Sequence, residues 1–238
     1  LNNQPVLVVT GLTSSIGREL GTMLVNDWRI FGISRNPPQV PDPYEWIVAD
    51  LSVAGQGADQ LVRRLARENM AQVQGFVHLA GVVFSDAAVA TTGYEWDYTC
   101  AVNLRSAFEL AVVLKPFLTT TASVVFVSSV DAALSSAAGP AAAYGASKAG
   151  LNGLVRHLAA EWGPDGIRVN SVMLGALQEG MSAQNPQVAS ELARRIALGR
   201  LGTARDAAQA IRFLLDSEAS SYITGTALQV DGGLNIRY

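Results

Sequence analysis

Five short stretches of this chain are apolar almost without a break: VLVVT at 6–10, RIFGIS at 29–34, VQGFVHL at 73–79, SVVFV at 123–127 and IRVNSVM at 167–173. A strand with one wet face alternates apolar and polar residues, whereas a continuous run suits a strand covered on both faces. Between the runs lie stretches of helical period, such as Ile16, Leu20, Met23 and Leu24, then Leu61, Val62, Leu65 and Ala66, then Leu151, Leu154, Val155 and Leu158. Shorter strands are expected at 45–49 and 224–230. The alternation continues from end to end with no linker or repeat. It predicts one α/β domain over residues 1–238, a doubly wound sheet of roughly seven parallel strands with helices on both faces. Ligands of such sheets lie at the carboxyl ends of the strands.

Composition agrees and narrows the function. Of 238 residues, 49% are hydrophobic and 16% charged, which suits a large core. A net charge of −3 gives no electrostatic reason to bind nucleic acid or an anionic membrane. Cys100 is the single cysteine, so no intrachain disulfide is expected, and it reads as inert core. His78 and His157 are far apart, and no metal site is expected. The LNNQP start has no export pattern and no apolar run is long enough to span a membrane, so the expected location is the cytoplasm.

The most chemical stretch is 124–148. The strand ends in Ser128-Ser129, a small-residue loop follows, and Tyr144-Gly-Ala-Ser-Lys148 opens a helix. Tyr144 and Lys148, four apart, share one helix face. A phenol titrates near 10, and acid/base work at neutral pH asks for a drop of roughly 3 units, about 4 kcal/mol. An ammonium about 4 Å away at an effective dielectric near 20 supplies about that much. Tyr144 is therefore a candidate acid/base, with Lys148 expected to lower its pKa and a serine hydroxyl to hold a carbonyl oxygen.

The first strand runs into a turn, Gly11-Leu-Thr-Ser-Ser-Ile-Gly17, and then a helix, an arrangement that sets backbone N–H groups and a helix N-terminus against a pyrophosphate. The second strand ends at Ser34-Arg35, 23 positions after Gly11. An acid there would bind the ribose hydroxyls of NAD; a serine and an arginine favour NADP(H), because guanidinium pairs with phosphate. Asp50-Leu51 and Ala80-Gly81 follow later strands. Asn103 sits inside a long helical stretch, 94–114, where asparagine is a poor helix former. Residues 175–198 break the apolar rhythm and are expected to form a substrate lid.

With these pieces in place, the chain resembles the short-chain dehydrogenase/reductase family, including members like 3-oxoacyl-[acyl-carrier-protein] reductase. The matching motifs run in order: Thr10-Gly11 with Ile16-Gly17; Asp50-Leu51; Ala80-Gly81; Trp96 and Val102-Asn103-Leu104; Ser128-Ser129-Val130; Tyr144 with Ser147-Lys148; Ile167-Arg168-Val169-Asn170; Arg200-Leu201-Gly202; and Gly225 with Val230-Asp231-Gly232-Gly233. The resemblance implies hydride transfer between a nicotinamide and a small carbonyl or alcohol. It implies a tetrad: Tyr144 as acid/base, Lys148 beside it, Ser129 orienting the carbonyl and Asn103 supporting a water. Ser128 and Ser135 remain alternatives to Ser129. It implies cofactor contacts at Gly11, Thr13, Ser14, Ser15, Ile16, Ser34, Arg35, Asp50, Leu51, Ala80, Gly81, Tyr144, Lys148 and Leu177. It also implies a homo-oligomer, tetramer or dimer. Four positions depart from the family pattern: Ser15 replaces a glycine, His78 an asparagine, Leu174 a proline and Glu179 a threonine. Ser15, His78 and Glu179 motivate an alternative, a protein that keeps the fold and binds without catalysis.

Overall fold

The computed structural model describes residues 4–39, 42–135, 139–180 and 185–236. Seven parallel strands form one sheet in the order β3-β2-β1-β4-β5-β6-β7. They are β1 (Val6–Thr10), β2 (Arg29–Ser34), β3 (Glu45–Val48), β4 (Val73–His78), β5 (Leu118–Ser129), β6 (Arg168–Leu174) and β7 (Ala227–Val230).

The continuous apolar runs are covered on both faces. Val6, Val8, Phe31, Phe76, Val124 and Phe126 point to one side. There they meet α2 (Gln56–Arg67), α4 (Ser106–Leu114) and α5 (Ala142–Trp162) through Leu61, Leu110 and Leu151. The alternate residues Leu7, Val9, Val77, Val125 and Val127 point to the other side, against α1 (Ser15–Leu24) and α7 (Ala204–Leu215) through Leu20, Ile211 and Leu214. One residue of register would exchange the two sets, so the pleat fixes the pairing.

The chain runs outward from β1 through β2 to β3 and then returns to place β4 on the other flank of β1. The carboxyl ends of β1 and β4 therefore open a crevice at a topological switch point. Thr10 pairs with Ile33 on one side and His78 on the other, so three strand ends share one level.

Several expectations need revision. The helical stretch around Asn103 is interrupted: α3 (Gly93–Cys100) passes through a π-helical turn, Ala101–Arg105, into α4. Two large apolar residues of that stretch, Trp96 and Phe108, are 45% and 47% exposed. Cys100 is half-buried rather than core. Within the expected lid, residues 176–178 are tied to Gly202 by Gly202 N–H to the Ala176 carbonyl at 3.0 Å and Gln178 N–H to the Gly202 carbonyl at 2.8 Å. The lid also contains α6 (Pro186–Arg195), capped by the Asn185 side chain. Residues 181–184 of the expected lid lie outside the described residues. Among the described residues no helix is long and apolar enough to cross a membrane.

Candidate active site

The first βα turn is shaped by close backbone approach. Gly11 has φ +69°, and a Cβ there would lie 2.8 Å from the Ala80 nitrogen. At Gly17 a Cβ would lie 2.5 Å from the Gly11 carbonyl oxygen, so the start of α1 is pressed onto the turn. Ser14 caps α1 by accepting from Gly17 N–H at 3.1 Å, and Ser15 is the first helical residue. A glycine cradle leading into a capped helix N-terminus suits a pyrophosphate.

Thr10 ties the strand ends together. Its hydroxyl oxygen accepts from Leu79 N–H at 3.1 Å and Ala80 N–H at 3.0 Å, which leaves its proton for His78 Nδ1 at 3.1 Å. Nε2 of His78 then carries the hydrogen and donates to the Val102 carbonyl at 3.3 Å. His78 is completely buried; burial, together with the nearby Lys148 charge, lowers its pKa to about 3, so it is a neutral strut. The same Val102 carbonyl accepts from the Ser106 hydroxyl at 2.8 Å. In the π turn the Ser106 N–H goes five residues back, to Ala101, so two side chains serve the carbonyl it would otherwise reach. π turns are frequent at functional sites, and this one carries Asn103.

Asn103 is fully buried. Its Oδ1 accepts from Val82 N–H at 2.8 Å, and its Nδ2 donates to the Val82 carbonyl at 2.9 Å and to Ser147 Oγ at 3.0 Å. It fastens the segment after β4 to α5. A Cβ at Gly81 would lie 3.4 Å from Lys148 Nζ and 3.5 Å from Asn103 Oδ1, so bare backbone passes beside both.

Lys148 is 3% exposed and donates to the Val127 carbonyl at 2.7 Å. Burial lowers its pKa to about 8. Its Nζ is 5.6 Å from the Tyr144 ring centroid. The helix spacing thus brings the pair together, but the expected effect on the phenol is reversed. Burial pushes Tyr144 up to about 12, the Ser129 hydrogen bond pulls it down and the Asp131 charge pushes it up further. Desolvation outweighs an ammonium that is turned to a carbonyl.

Of the three serines, Ser129 at the end of β5 is hydrogen-bonded to Tyr144. Ser128 donates to the Lys148 carbonyl at 3.3 Å, and Ser135 is exposed. Ser129, Tyr144 and Lys148 line a cavity of about 600 Å³ that also reaches Ser14, Ser15, Ile16 and Leu177. Glu179 turns away and accepts from Ala204 N–H at 3.1 Å, at the start of α7.

A neighbouring cavity of about 290 Å³ is lined by Gly11, Thr13, Ser34, Arg35, Asp50, Leu51, Ala80, Gly81 and, from α3, Tyr98. Arg35 Nη1 donates to the Tyr98 hydroxyl at 2.8 Å. Tyr98 stacks on Tyr94 at 5.7 Å and meets Phe84 edge-on at 6.2 Å. Burial raises the Asp50 pKa, but the Ser52 N–H and hydroxyl and the Arg35 charge outweigh that, and the net shift is downward. Tyr98, His78 and Asp131 are site residues that motif reading does not single out as contributors. His78 shows in the sequence only as a departure from the family pattern and Asp131 as an acid two positions after Ser129, while nothing local marks Tyr98.

Comparison with known proteins agrees with this geometry. A family model described as Enoyl-(Acyl carrier protein) reductase matches residues 40–235. The chain is 31% identical over 97% of its length to 3-oxoacyl-[acyl-carrier-protein] reductase FabG of Thermotoga maritima, covering 98% of that protein. The chain is a short-chain dehydrogenase/reductase. It is also 30% identical to a tropinone reductase homolog of Arabidopsis thaliana, over 96% of this chain and 90% of that one. An uncharacterized short-chain type dehydrogenase/reductase of Sinorhizobium fredii is 32% identical over 96% of this chain, which spans 43% of that longer protein. Among solved structures, the ligand-free aldohexose dehydrogenase of Thermoplasma acidophilum superposes with a TM-score of 0.87 at 26% identity, covering 99% of this chain and 95% of that one. Membership makes this short-chain dehydrogenase/reductase an oxidoreductase, and the family uses NAD(P). The two cavities meeting at the glycine cradle fit such a dinucleotide.

The lowered Lys148 pKa carries a stability consequence. Between its folded value of about 8 and the ordinary lysine value of 10.5 the unfolded chain binds the proton more tightly, so the cost is full below about pH 8 and disappears as pH rises to 10.5. That cost is about 3 kcal/mol, against roughly 1–3 kcal/mol for leaving the Val127 carbonyl without its donor. Lys148→Met should raise the melting temperature at pH 7 by about 2–4 °C, with the gain shrinking above pH 8. Thermal melts across pH check this; a lower melting temperature at pH 7 contradicts it.

Proposed function

We propose that this protein is an NADP(H)-dependent oxidoreductase that works on a small carbonyl or alcohol substrate, with Tyr144 as acid/base. The observation that carries the reading is the convergence of Ser129, Tyr144 and Lys148 on one cavity that opens onto the glycine cradle. The nicotinamide cofactor, when bound, supplies or accepts the hydride.

The chain's own residues do the rest. Gly11 and the start of α1, at Ser14, Ser15 and Ile16, hold the pyrophosphate. Asp50 and Leu51 wall the adenine end, and Ala80, Gly81 and Leu177 the nicotinamide end. Ser129 orients the carbonyl oxygen beside the phenol. Burial pushes the Tyr144 phenol up to about 12, so it holds its proton in the neutral range and has one to give to a forming alkoxide. Lys148 lines the same cavity, its Nζ 5.6 Å from the Tyr144 ring centroid. The Asn103 side chain fastens the Val82 backbone, so its part is to keep that wall and α5 in register.

For the cofactor, Arg35 supports NADP(H) over NAD(H). It lies at the end of β2, where no acid is present, and Tyr98 holds its guanidinium at the cavity rim. The relative named FabG is a 3-oxoacyl-[acyl-carrier-protein] reductase. We further take the protein to act in the cytoplasm as a homo-oligomer, tetramer or dimer; Phe108 and Val112, exposed on α4, offer an apolar surface. The non-catalytic alternative finds no support in the three departures that motivate it. Ser15 opens α1, His78 is a neutral strut and Glu179 caps α7.

Tyr144→Phe should lower turnover by about 10²–10⁴-fold while NADPH affinity and melting temperature stay near wild type. Activity above a tenth of wild type overturns the acid/base assignment. Arg35→Asp should weaken NADPH about 10–100-fold and leave NADH no weaker, read by nicotinamide fluorescence titration. Tyr98→Phe should weaken NADPH only a few-fold, again sparing NADH. An unchanged NADPH-to-NADH ratio in both variants contradicts the cofactor assignment.

A further inference from the structure

The larger cavity has two charged side chains among its lining residues, Lys148 and Asp131. Lys148 is buried and engaged with the Val127 carbonyl. Asp131 is half-buried, and among the described residues it forms no ion pair. Residues 136–138 and 181–184, Ser-Ala-Ala and Met-Ser-Ala-Gln, contribute no basic group.

Its position is built rather than incidental. The Asp131 N–H donates to Ser129 Oγ at 3.1 Å, which caps the short 3₁₀ turn Val130–Ala132. Its carbonyl oxygen lies 2.9 Å from where a Cβ of Gly145 would be, so the turn seats against the first turn of α5 only because position 145 is glycine. The carboxyl group is hydrogen-bonded to the Ser129 hydroxyl, and Tyr144 feels its charge. Elsewhere the wall combines hydrocarbon, at Val82, Leu174 and Val188, with uncharged polar groups such as Ser85 and Asn185.

We propose that Asp131 is a substrate-specificity residue: it accepts a hydrogen bond from a hydroxyl or ammonium on the carbon next to the reacting carbonyl, and it excludes substrates with an anionic group there. The class is an α-hydroxy or α-amino carbonyl compound, or the corresponding alcohol, with an apolar remainder. This rests on the carbonyl-reductase reading above. A carboxylate only accepts hydrogen bonds. An apolar ligand laid over it would strip its water without replacement. An anionic group would add repulsion in a poorly screened cavity. A donor restores the lost hydrogen bond, and a cationic donor adds charge to it. Ser129 has one hydroxyl proton, so it turns to the carbonyl oxygen when a substrate donor takes its place on the Asp131 carboxylate, which puts that donor one carbon away.

The test is a matched four-carbon series with NADPH-loaded enzyme: butanone, hydroxybutanone, aminobutanone and oxobutanoate, the last three bearing the group beside the carbonyl. Wild type should favour the hydroxy and amino ketones over butanone by about tenfold in kcat/KM, with oxobutanoate slowest. Asp131→Asn keeps an accepting oxygen. It should retain the hydroxy-ketone preference but lose both the advantage of the amino ketone and the penalty on oxobutanoate. Asp131→Ala should lose the donor preference altogether. NADPH titration shows that each variant still binds cofactor, and the isosteric Asn variant decides the matter if the Ala variant does not fold. Wild-type ratios within about twofold, or ratios unchanged in Asp131→Asn, overturn the proposal and leave the reductase reading standing. Turnover of none of the four with NADPH bound counts against both.

Discussion

A lysine ammonium with almost no contact with water is the constraint the rest of this site answers to. Burying a charge is costly unless polar groups replace its hydration. Here the Val127 carbonyl at the end of β5 does so, and the strand must stop just beyond it for α5 to bring the amine in. Gly81 has no side chain to block the approach. His78, whose imidazole feels the same charge, stays neutral. One cation thereby constrains its neighbours on β4, on β5 and in the segment after β4.

The second tie runs across the switch point. The Thr10 hydroxyl binds the backbone just past β4, orients the His78 ring and, through it, meets the Val102 carbonyl in the π turn. The glycine cradle, the Gly81 backbone and the Asn103 helix are thus held by one chain of hydrogen bonds. Asn103 closes the loop by joining Val82 to Ser147 on the helix that carries Tyr144 and Lys148. Such networks specify one arrangement when every member is satisfied.

Much of this is legible in the sequence because it is local. Continuous apolar runs give strands buried on both faces, and the four-residue spacing puts Tyr144 and Lys148 on one helix face. Gly11 and Gly17 mark a turn where backbone must come close. What escapes is set by distant partners. The π turn depends on the Val102 carbonyl finding His78 from another strand. Tyr98 reaches Arg35 only because α3 passes over the end of β2. The sign of the Tyr144 shift depends on burial and on Asp131, whereas spacing alone suggests a lowering by Lys148. Asp131 itself becomes informative only once it is seen in the cavity wall, hydrogen-bonded to Ser129 and in no ion pair among the described residues.

The chain has two lysines, Lys115 and Lys148, so the buried ammonium can be observed directly. Protein labelled with ¹³C at lysine Cε, in a Lys115→Arg background, gives a single resonance to follow against pH by NMR. The account predicts a midpoint near the Lys148 value of about 8. A midpoint near the ordinary lysine value of about 10.4 would contradict it, because the amine would then be in water rather than under the strand ends.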